Sequence, residues 1–258
     1  MKVAKDGIEI HYVSEGAGPP VTLVHGVGSN LGSWDPIAAA LARRFQVVRL
    51  DLRGHGQSSR IETCTLQGFL DDVALVQDTL GLARTHLAGF SLGGMIGQAF
   101  ALDRPERVDR LALISAVAGR TPEERANLAA RARKVREEGI ASVAAAAEDR
   151  WFTEGFRKAH PDLVRQQLDR LKANDHRSYA AAYGVFAEGD LGDRLHAIRQ
   201  PTLIVTGEHD VGSNTRMARF MHDVIPGSTL RILPGLKHSV LLEAPGTIIE
   251  LLLEHFAA

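Results

Sequence analysis

The chain has 258 residues, of which 45% are hydrophobic, and its formal net charge at pH 7 is -1. This length fits a single α/β domain with an insertion, and the balanced charge without a long basic run argues against a nucleic-acid partner and against an electrostatic membrane anchor. No segment resembles a signal peptide or a bilayer-spanning stretch, so we expect a cytoplasmic protein. The lone Cys64 excludes an intrachain disulfide. We expect a monomer or homodimer with a small-molecule partner.

A hairpin opens the chain, and strands then alternate with helices. Residues 2–14 contain the turn pair Asp6-Gly7 followed by alternating apolar positions. Short apolar runs typical of doubly covered parallel strands occupy residues 21–25, 46–51, 86–90, 111–115, 201–207 and 229–233. Helical patterns lie at residues 34–43, 66–80, 94–102, 214–225 and 245–256. The alternation predicts an α/β fold with a mostly parallel, doubly wound sheet.

One interval interrupts this alternation. Residues 119–189 contain no convincing strand and read as an inserted helical cap, with helices expected over 125–136 and 139–150 and with Pro161 and Gly184 as helix breakers. The remaining residues, 1–118 and 190–258, are expected to form the core. Since the insertion leaves the carboxyl end of a strand, we expect it to cover the sheet edge where such folds bind ligands.

A serine flanked by glycines follows the third parallel strand, in the sequence Gly89-Phe90-Ser91-Leu92-Gly93. A nucleophile on a tight strand-to-helix turn needs nearly side-chain-free neighbours two positions before and after it. The following helix would direct its N-terminal amides at the serine, where they favour a developing negative charge. The segment therefore predicts a nucleophile elbow at Ser91.

Two further side chains stand where a serine nucleophile requires them. A hydroxyl needs a general base and a carboxylate that orients the base. Asp210 directly follows the predicted strand at 201–207, and His238 follows the strand at 229–233. Both fall on carboxyl-end loops in the chain order Ser, Asp, His. Glu208 is the alternative acid, at a position from which its side chain would point elsewhere.

Donors for an oxyanion are expected from the main chain. The glycine-rich turn His25-Gly26-Val27-Gly28 can direct the Val27 amide at the serine, and the Leu92 amide supplies a second donor. His25 is expected to brace this turn by hydrogen bonding, and residues 51–58 to form a structural loop. We find no phosphate-binding glycine motif and no zinc-ligand spacing, so we expect neither a cofactor nor a metal.

The combined motifs resemble those of the α/β-hydrolase superfamily over nearly the whole chain: His25-Gly26, Asp51-Leu52-Arg53-Gly54-His55-Gly56, the Ser91 elbow, Asp210 and His238. Within it, three segments resemble 3-oxoadipate enol-lactonases and related esterases: residues 89–95, the run Arg150-Trp151-Phe152-Thr153 with His160-Pro161, and Asp190-Leu191. The resemblance implies that Trp151 lines the acyl or lactone pocket from the cap, with packing inside the cap as the alternative for this tryptophan. It also offers Arg150 as a partner for a substrate carboxylate.

These residues predict a serine hydrolase that cleaves a small carboxylic ester or lactone through an acyl-enzyme. The same residues would also serve a carbon-carbon bond hydrolase, a thioesterase or an amidase. A hydrolase-fold ligand receptor with little turnover is the alternative of another class, because fold alone does not determine function.

Overall fold

The sheet has eight strands, and the predicted mostly parallel arrangement is confirmed. The structure is a computed structural model that describes residues 1–257; the predicted core range extends to Ala258, which lies outside the described residues. The strands are β1 (Lys2–Lys5), β2 (Ile8–Glu15), β3 (Pro20–Val24), β4 (Gln46–Leu50), β5 (Thr85–Phe90), β6 (Val108–Ile114), β7 (Thr202–Gly207) and β8 (Thr229–Leu233). Their order is β1-β2-β4-β3-β5-β6-β7-β8. β2 runs antiparallel to both β1 and β4, and every other pair is parallel.

The N-terminal hairpin forms at the predicted turn pair. Lys5 pairs with Ile8, which leaves a two-residue loop between β1 and β2. Asp6 and Gly7 both have positive φ, 51° and 79°. Two successive positive φ values characterise the tight hairpin turns whose twist matches that of the flanking strands, which is why an Asp-Gly pair predicts this turn.

Helices cover both faces of the sheet. The helices are α1 (Asp35–Leu41), α2 (Leu66–Thr79), α3 (Leu92–Asp103), α4 (Pro122–Glu138), α5 (Ala141–Trp151), α6 (Glu154–Ala159), α7 (Pro161–Lys172), α8 (His176–Glu188), α9 (Thr215–Val224), α10 (Val240–Glu243) and α11 (Pro245–Ala257). Short 3-10 turns lie at Leu31–Trp34, Pro105–Arg107 and Gly192–Ala197. Buried side chains of α1 and α11 form one hydrophobic cluster, and those of α2, α3 and α9 form another. None of the helices in residues 1–257 has the length and apolar character that a membrane crossing requires.

Five helices, α4 to α8, stand between β6 and β7 in the predicted insertion. Pro161 starts α7, so this predicted boundary is correct. Gly184 was expected to break a helix, and this prediction is wrong because Gly184 lies inside α8. A single glycine costs a helix only about 1 kcal/mol, and α8 offsets this by burying Tyr179 and Tyr183.

The two ends of the insertion are joined by one carboxylate. Asp190 accepts hydrogen bonds from the backbone N–H groups of Gly119 and Arg120, each at 2.8 Å. The Arg120 guanidinium in turn donates to the carbonyl oxygen of Phe186 at 2.9 Å. These contacts hold the start and the end of the insertion together at the carboxyl edge of the sheet, so α4 to α8 lie above that edge.

Candidate active site

Ser91 occupies the turn between β5 and α3 in a strained conformation. Its φ is 55° and its ψ is -113°, a region that residues other than glycine rarely adopt. The neighbouring glycines are required by contact: a β-carbon at Gly89 would lie 2.0 Å from the Gly93 carbonyl oxygen. A β-carbon at Gly93 would lie 2.2 Å from the carbonyl oxygen of Val24 on β3. The predicted elbow is therefore present, packed against the neighbouring strand.

Asp210 and His238 are joined by a short hydrogen bond. Nδ1 of His238 donates to Asp210 Oδ2 at 2.7 Å, and the other carboxylate oxygen accepts from the backbone N–H groups of Gly212 and Ser213, each at 2.9 Å. Burial by itself raises the pKa of Asp210, but the neighbouring His238 and these hydrogen bonds outweigh burial and hold the pKa below its usual value. An ionised Asp210 fixes the proton on Nδ1 and leaves Nε2 as a hydrogen-bond acceptor.

The three predicted side chains line one cavity of about 330 Å³. Ser91, Asp210 and His238 reach it from loops at the carboxyl ends of β5, β7 and β8, and the ring centroid of Phe90 lies 5.0 Å from that of His238. The alternative acid, Glu208, has a half-exposed side chain that accepts from the Gly235 N–H at 2.9 Å. The structure thus brings together the expected residues and leaves Glu208 outside.

The glycine-rich turn after β3 packs directly against the elbow. A β-carbon at Gly26 would lie 3.1 Å from the Ser91 β-carbon. Within the described residues, neither the Val27 nor the Leu92 amide donates a hydrogen bond to the protein. His25 braces the turn as predicted. Its Nδ1 donates to the Gly26 carbonyl at 2.7 Å, and its Nε2 accepts from the backbone N–H of Leu52 at 3.0 Å.

A second buried histidine, His55 in the loop after β4, also binds the turn. Nε2 of His55 accepts from the Gly28 N–H at 3.0 Å, and its Nδ1 bonds the Arg53 carbonyl at 3.2 Å. Burial lowers the pKa of His55 to about 3, and the neighbouring His25 acts in the same direction. The expected structural loop at 51–58 is thus also the support of the turn, a role that the sequence did not reveal. The one available signal was a His-Gly pair in each of the two loops.

Three arginines of the insertion line the cavity, and Arg170 on α7 is the third besides those on α4 and α5. Arg131 on α4 and Arg150 on α5 both line it, together with Trp151 and the rings of Tyr179 and Tyr183. Burial and the like charge of Arg131 lower the pKa of Arg150. Within residues 1–257, neither Arg131 nor Arg150 pairs with a carboxylate, whereas the charges of Asp35 and Asp51 act on Arg170. The first two half-buried cations are therefore available to an anionic ligand.

The sequence pointed to Arg150 and Trp151 but missed Arg131 and Arg170. Helix α4 carries four arginines, at 125, 131, 133 and 136, and only packing shows which one faces inward. No cluster of three or more metal-ligating side chains occurs in the part of the chain that the structure describes.

A family model described as alpha/beta hydrolase fold matches residues 19–245. The chain belongs to the α/β-hydrolase family. It is therefore a hydrolase, and its eight-stranded sheet with the Ser91 turn after β5 agrees with that membership.

Curated relatives of this hydrolase resemble it over most of its length. The 3-oxoadipate enol-lactonase 1 of Acinetobacter baylyi is 29% identical over 233 residues, which cover 90% of this chain and 86% of the relative. The (E)-2-((N-methylformamido)methylene)succinate hydrolase of the same organism is 31% identical over 239 residues, which cover 91% and 89%. The predicted resemblance to enol-lactonases is confirmed.

Solved structures agree with these relatives. The enol-lactonase from Burkholderia xenovorans LB400 superposes with a TM-score of 0.94 at 29% identity and full coverage of both chains. A thermophilic esterase from Thermogutta terrifontis, solved with malate bound, superposes with a TM-score of 0.91 at 30% identity, covering 100% of this hydrolase and 98% of the esterase.

Proposed function

We propose that this protein is a serine hydrolase that cleaves a small carboxylic ester or lactone through an acyl-enzyme. The observation that carries the proposal is the 2.7 Å His238–Asp210 hydrogen bond at the same cavity as the strained Ser91. A hydroxyl is a weak nucleophile at neutral pH, and a neutral imidazole with a free Nε2 is the group that can take its proton.

In the proposed reaction, the Ser91 oxygen attacks the ester carbonyl while His238 Nε2 takes the hydroxyl proton. Asp210 keeps the imidazole in the required tautomer and stabilises its protonated form. The amides of Val27 and Leu92 donate to the oxyanion of the tetrahedral intermediate. His238 then gives its proton to the leaving oxygen and activates water, which hydrolyses the acyl-enzyme.

We further propose that the substrate carries a carboxylate. Arg131 and Arg150 offer two cations at the cavity, and a charge-assisted hydrogen bond to carboxylate would relieve their mutual repulsion. Trp151 would supply an apolar wall beside them. The names of an enol-lactonase and a succinate-derivative hydrolase among the relatives favour an enol-lactone or a related acid as the class of substrate.

The core and the insertion have different roles in this proposal. Residues 1–118 and 190–258 act as the hydrolase core, and residues 119–189 act as a cap that closes the cavity and selects the substrate. Cytoplasmic residence and a monomeric or homodimeric state remain predictions.

The decisive experiment compares Ser91→Ala with the wild-type enzyme on mono-p-nitrophenyl glutarate, p-nitrophenyl pentanoate, an enol-lactone and matched thioester and anilide substrates. We expect the oxygen esters or the lactone to give the highest kcat/KM, and Ser91→Ala to lose about 10³-fold or more. Ser142→Ala is the control, since the Ser142 hydroxyl lies in the insertion and donates to the Gly139 carbonyl. Full activity of Ser91→Ala would refute the mechanism, and binding without turnover would favour a receptor.

A further inference from the structure

The loop that carries His238 is attached to the end of α5 on both sides of the histidine. Nζ of Lys237 donates to the Asp149 carbonyl oxygen at 2.5 Å. The backbone N–H of Ser239 donates to the Trp151 carbonyl oxygen at 3.0 Å. The residues immediately before and after His238 are therefore held by the insertion.

A third attachment is made by a side-chain pair just beyond these contacts. The Thr153 hydroxyl donates to Glu243 Oε2 at 2.6 Å, and the Thr153 backbone N–H donates to Glu243 Oε1 at 3.1 Å. Glu243 ends the short helix α10, which begins at Val240, two residues after His238. Both carboxylate oxygens are thus used to join α10 to the segment that follows α5.

The core contacts His238 directly. Asp210 orients the ring, and the Ser115 hydroxyl donates to the His238 carbonyl oxygen at 3.3 Å. Ser115 itself has a positive φ of 45°. The position of the imidazole consequently depends on the insertion as well as on the core.

Helix α5 also forms part of the cavity wall. Val143, Ala147 and Arg150, spaced at helical intervals along one face, line the cavity. A single helix therefore contacts the substrate space through its side chains and the His238 loop through its C-terminal end.

We propose that Thr153 and Glu243 are positioning residues for His238, and that the end of α5 places the imidazole for proton transfer from Ser91. The proposal rests on the proposed function, in which His238 is the general base. The pair does not touch the cavity, so its loss alters the geometry of proton transfer and leaves substrate affinity in place. A misplacement of about 1 Å at a reacting group can cost about 100-fold in rate.

The test measures kcat and KM for mono-p-nitrophenyl glutarate, and the rate of inactivation by diisopropyl fluorophosphate, in Thr153→Val and Glu243→Ala. The oxygen of an activated serine attacks the phosphorus of this reagent and displaces fluoride, which leaves a diisopropylphosphoryl serine. The reagent is too small to need the cap arginines. We expect kcat and the inactivation rate to fall together by about 10-fold or more, with KM within about two-fold of wild type. Thr153→Ser, which keeps the hydroxyl, is expected to restore both rates.

Two controls separate this role from general stability. Thr153 also accepts from the Phe156 N–H at the start of α6, so Glu243→Ala, which leaves that contact intact, tests the same claim if Thr153→Val fails to fold. Arg177→Gln removes another link between insertion and core, the exposed ion pair with Glu62 at 2.7 Å, and is expected to leave both rates unchanged.

Unchanged rates in Thr153→Val and Glu243→Ala would overturn the proposal, as would a loss confined to KM. Failure of the proposed function looks different, because the wild-type enzyme would then resist diisopropyl fluorophosphate and Ser91→Ala would retain activity.

Discussion

The backbone N–H of Gly28 donates to Nε2 of His55 at 3.0 Å, a contact between the turn after β3 and the loop after β4. The reciprocal contact runs from the Leu52 N–H to Nε2 of His25, and the two rings lie 5.2 Å apart. Each imidazole must be neutral to accept such a bond, and burial keeps both in that form by lowering their pKa values. The two loops are therefore held together by a pair of uncharged histidines.

Replacing His55 is expected to impair catalysis through the turn that carries Val27. His55→Ala leaves the Gly28 amide without its acceptor, so we expect kcat to fall by about 10-fold or more and unfolding free energy to drop by about 1–3 kcal/mol. Steady-state kinetics and urea denaturation measure the two effects. His222→Ala, at an exposed histidine of α9, is the control. Wild-type kcat in His55→Ala would show that the turn keeps its geometry without this bond.

Acid is expected to destabilise the protein below about pH 6.5. Burial lowers the pKa of His55 from 6.5 to about 3, so between these pH values the unfolded chain binds a proton that the folded chain does not bind. The free energy of unfolding therefore decreases as the pH is lowered through this range. For this histidine, each pH unit lowers the free energy of unfolding by up to about 1.4 kcal/mol. The stability advantage of wild type over His55→Asn should therefore shrink by about 2 kcal/mol between pH 7 and pH 5 in urea titrations. An advantage independent of pH would contradict a neutral buried His55.

Removing one cavity arginine is expected to affect anionic substrates selectively. Arg131→Gln or Arg150→Gln should lower kcat/KM for mono-p-nitrophenyl glutarate by about 10–100-fold and leave p-nitrophenyl pentanoate nearly unchanged. Arg133→Gln, at an exposed position on α4, is the matched control. If both esters respond equally, the arginines do not bind a substrate carboxylate.

At position 115, a glycine variant is expected to be more stable than an alanine variant, which reverses the usual order of the two residues. Ser115 is fully buried at the end of β6 with a φ of 45°, where alanine is strained and glycine is not. Both variants lose the hydrogen bond to His238, so Ser115→Gly should exceed Ser115→Ala in unfolding free energy by about 1 kcal/mol. Thermal and urea denaturation measure this difference. The opposite order would mean that the backbone relaxes out of the positive φ.

Two glycine-to-alanine substitutions are expected to have opposite effects on stability. Gly93→Ala places a β-carbon 2.2 Å from a strand carbonyl oxygen, so we expect severe destabilisation or failure to fold. Gly184→Ala meets nothing within 4 Å inside α8, so we expect it to stabilise by about 0.5–1 kcal/mol. Melting temperatures of the two variants check the prediction, and a tolerated Gly93→Ala would show that the elbow can move away from β3.

The sequence alone was sufficient for the features that depend on local pattern. Apolar runs and their spacing predicted the parallel sheet, the turn pair Asp6-Gly7 predicted the hairpin, and strand ends located Ser91, Asp210 and His238. These features can be predicted because neighbouring residues determine strands and turns, and because parallel strands bring their carboxyl ends to a common edge. The helix boundary at Pro161 follows for the same reason.

Only the tertiary structure decided which side chains face the cavity and what supports the loops around it. Helix α4 carries several arginines of similar local context, and the packing of α4 on α8 selects Arg131. Likewise, Gly184 could remain in a helix because distant burial offset its cost, and His55 meets Gly28 across 27 residues of chain. Such contacts depend on how whole elements pack, and no local sequence pattern encodes that packing.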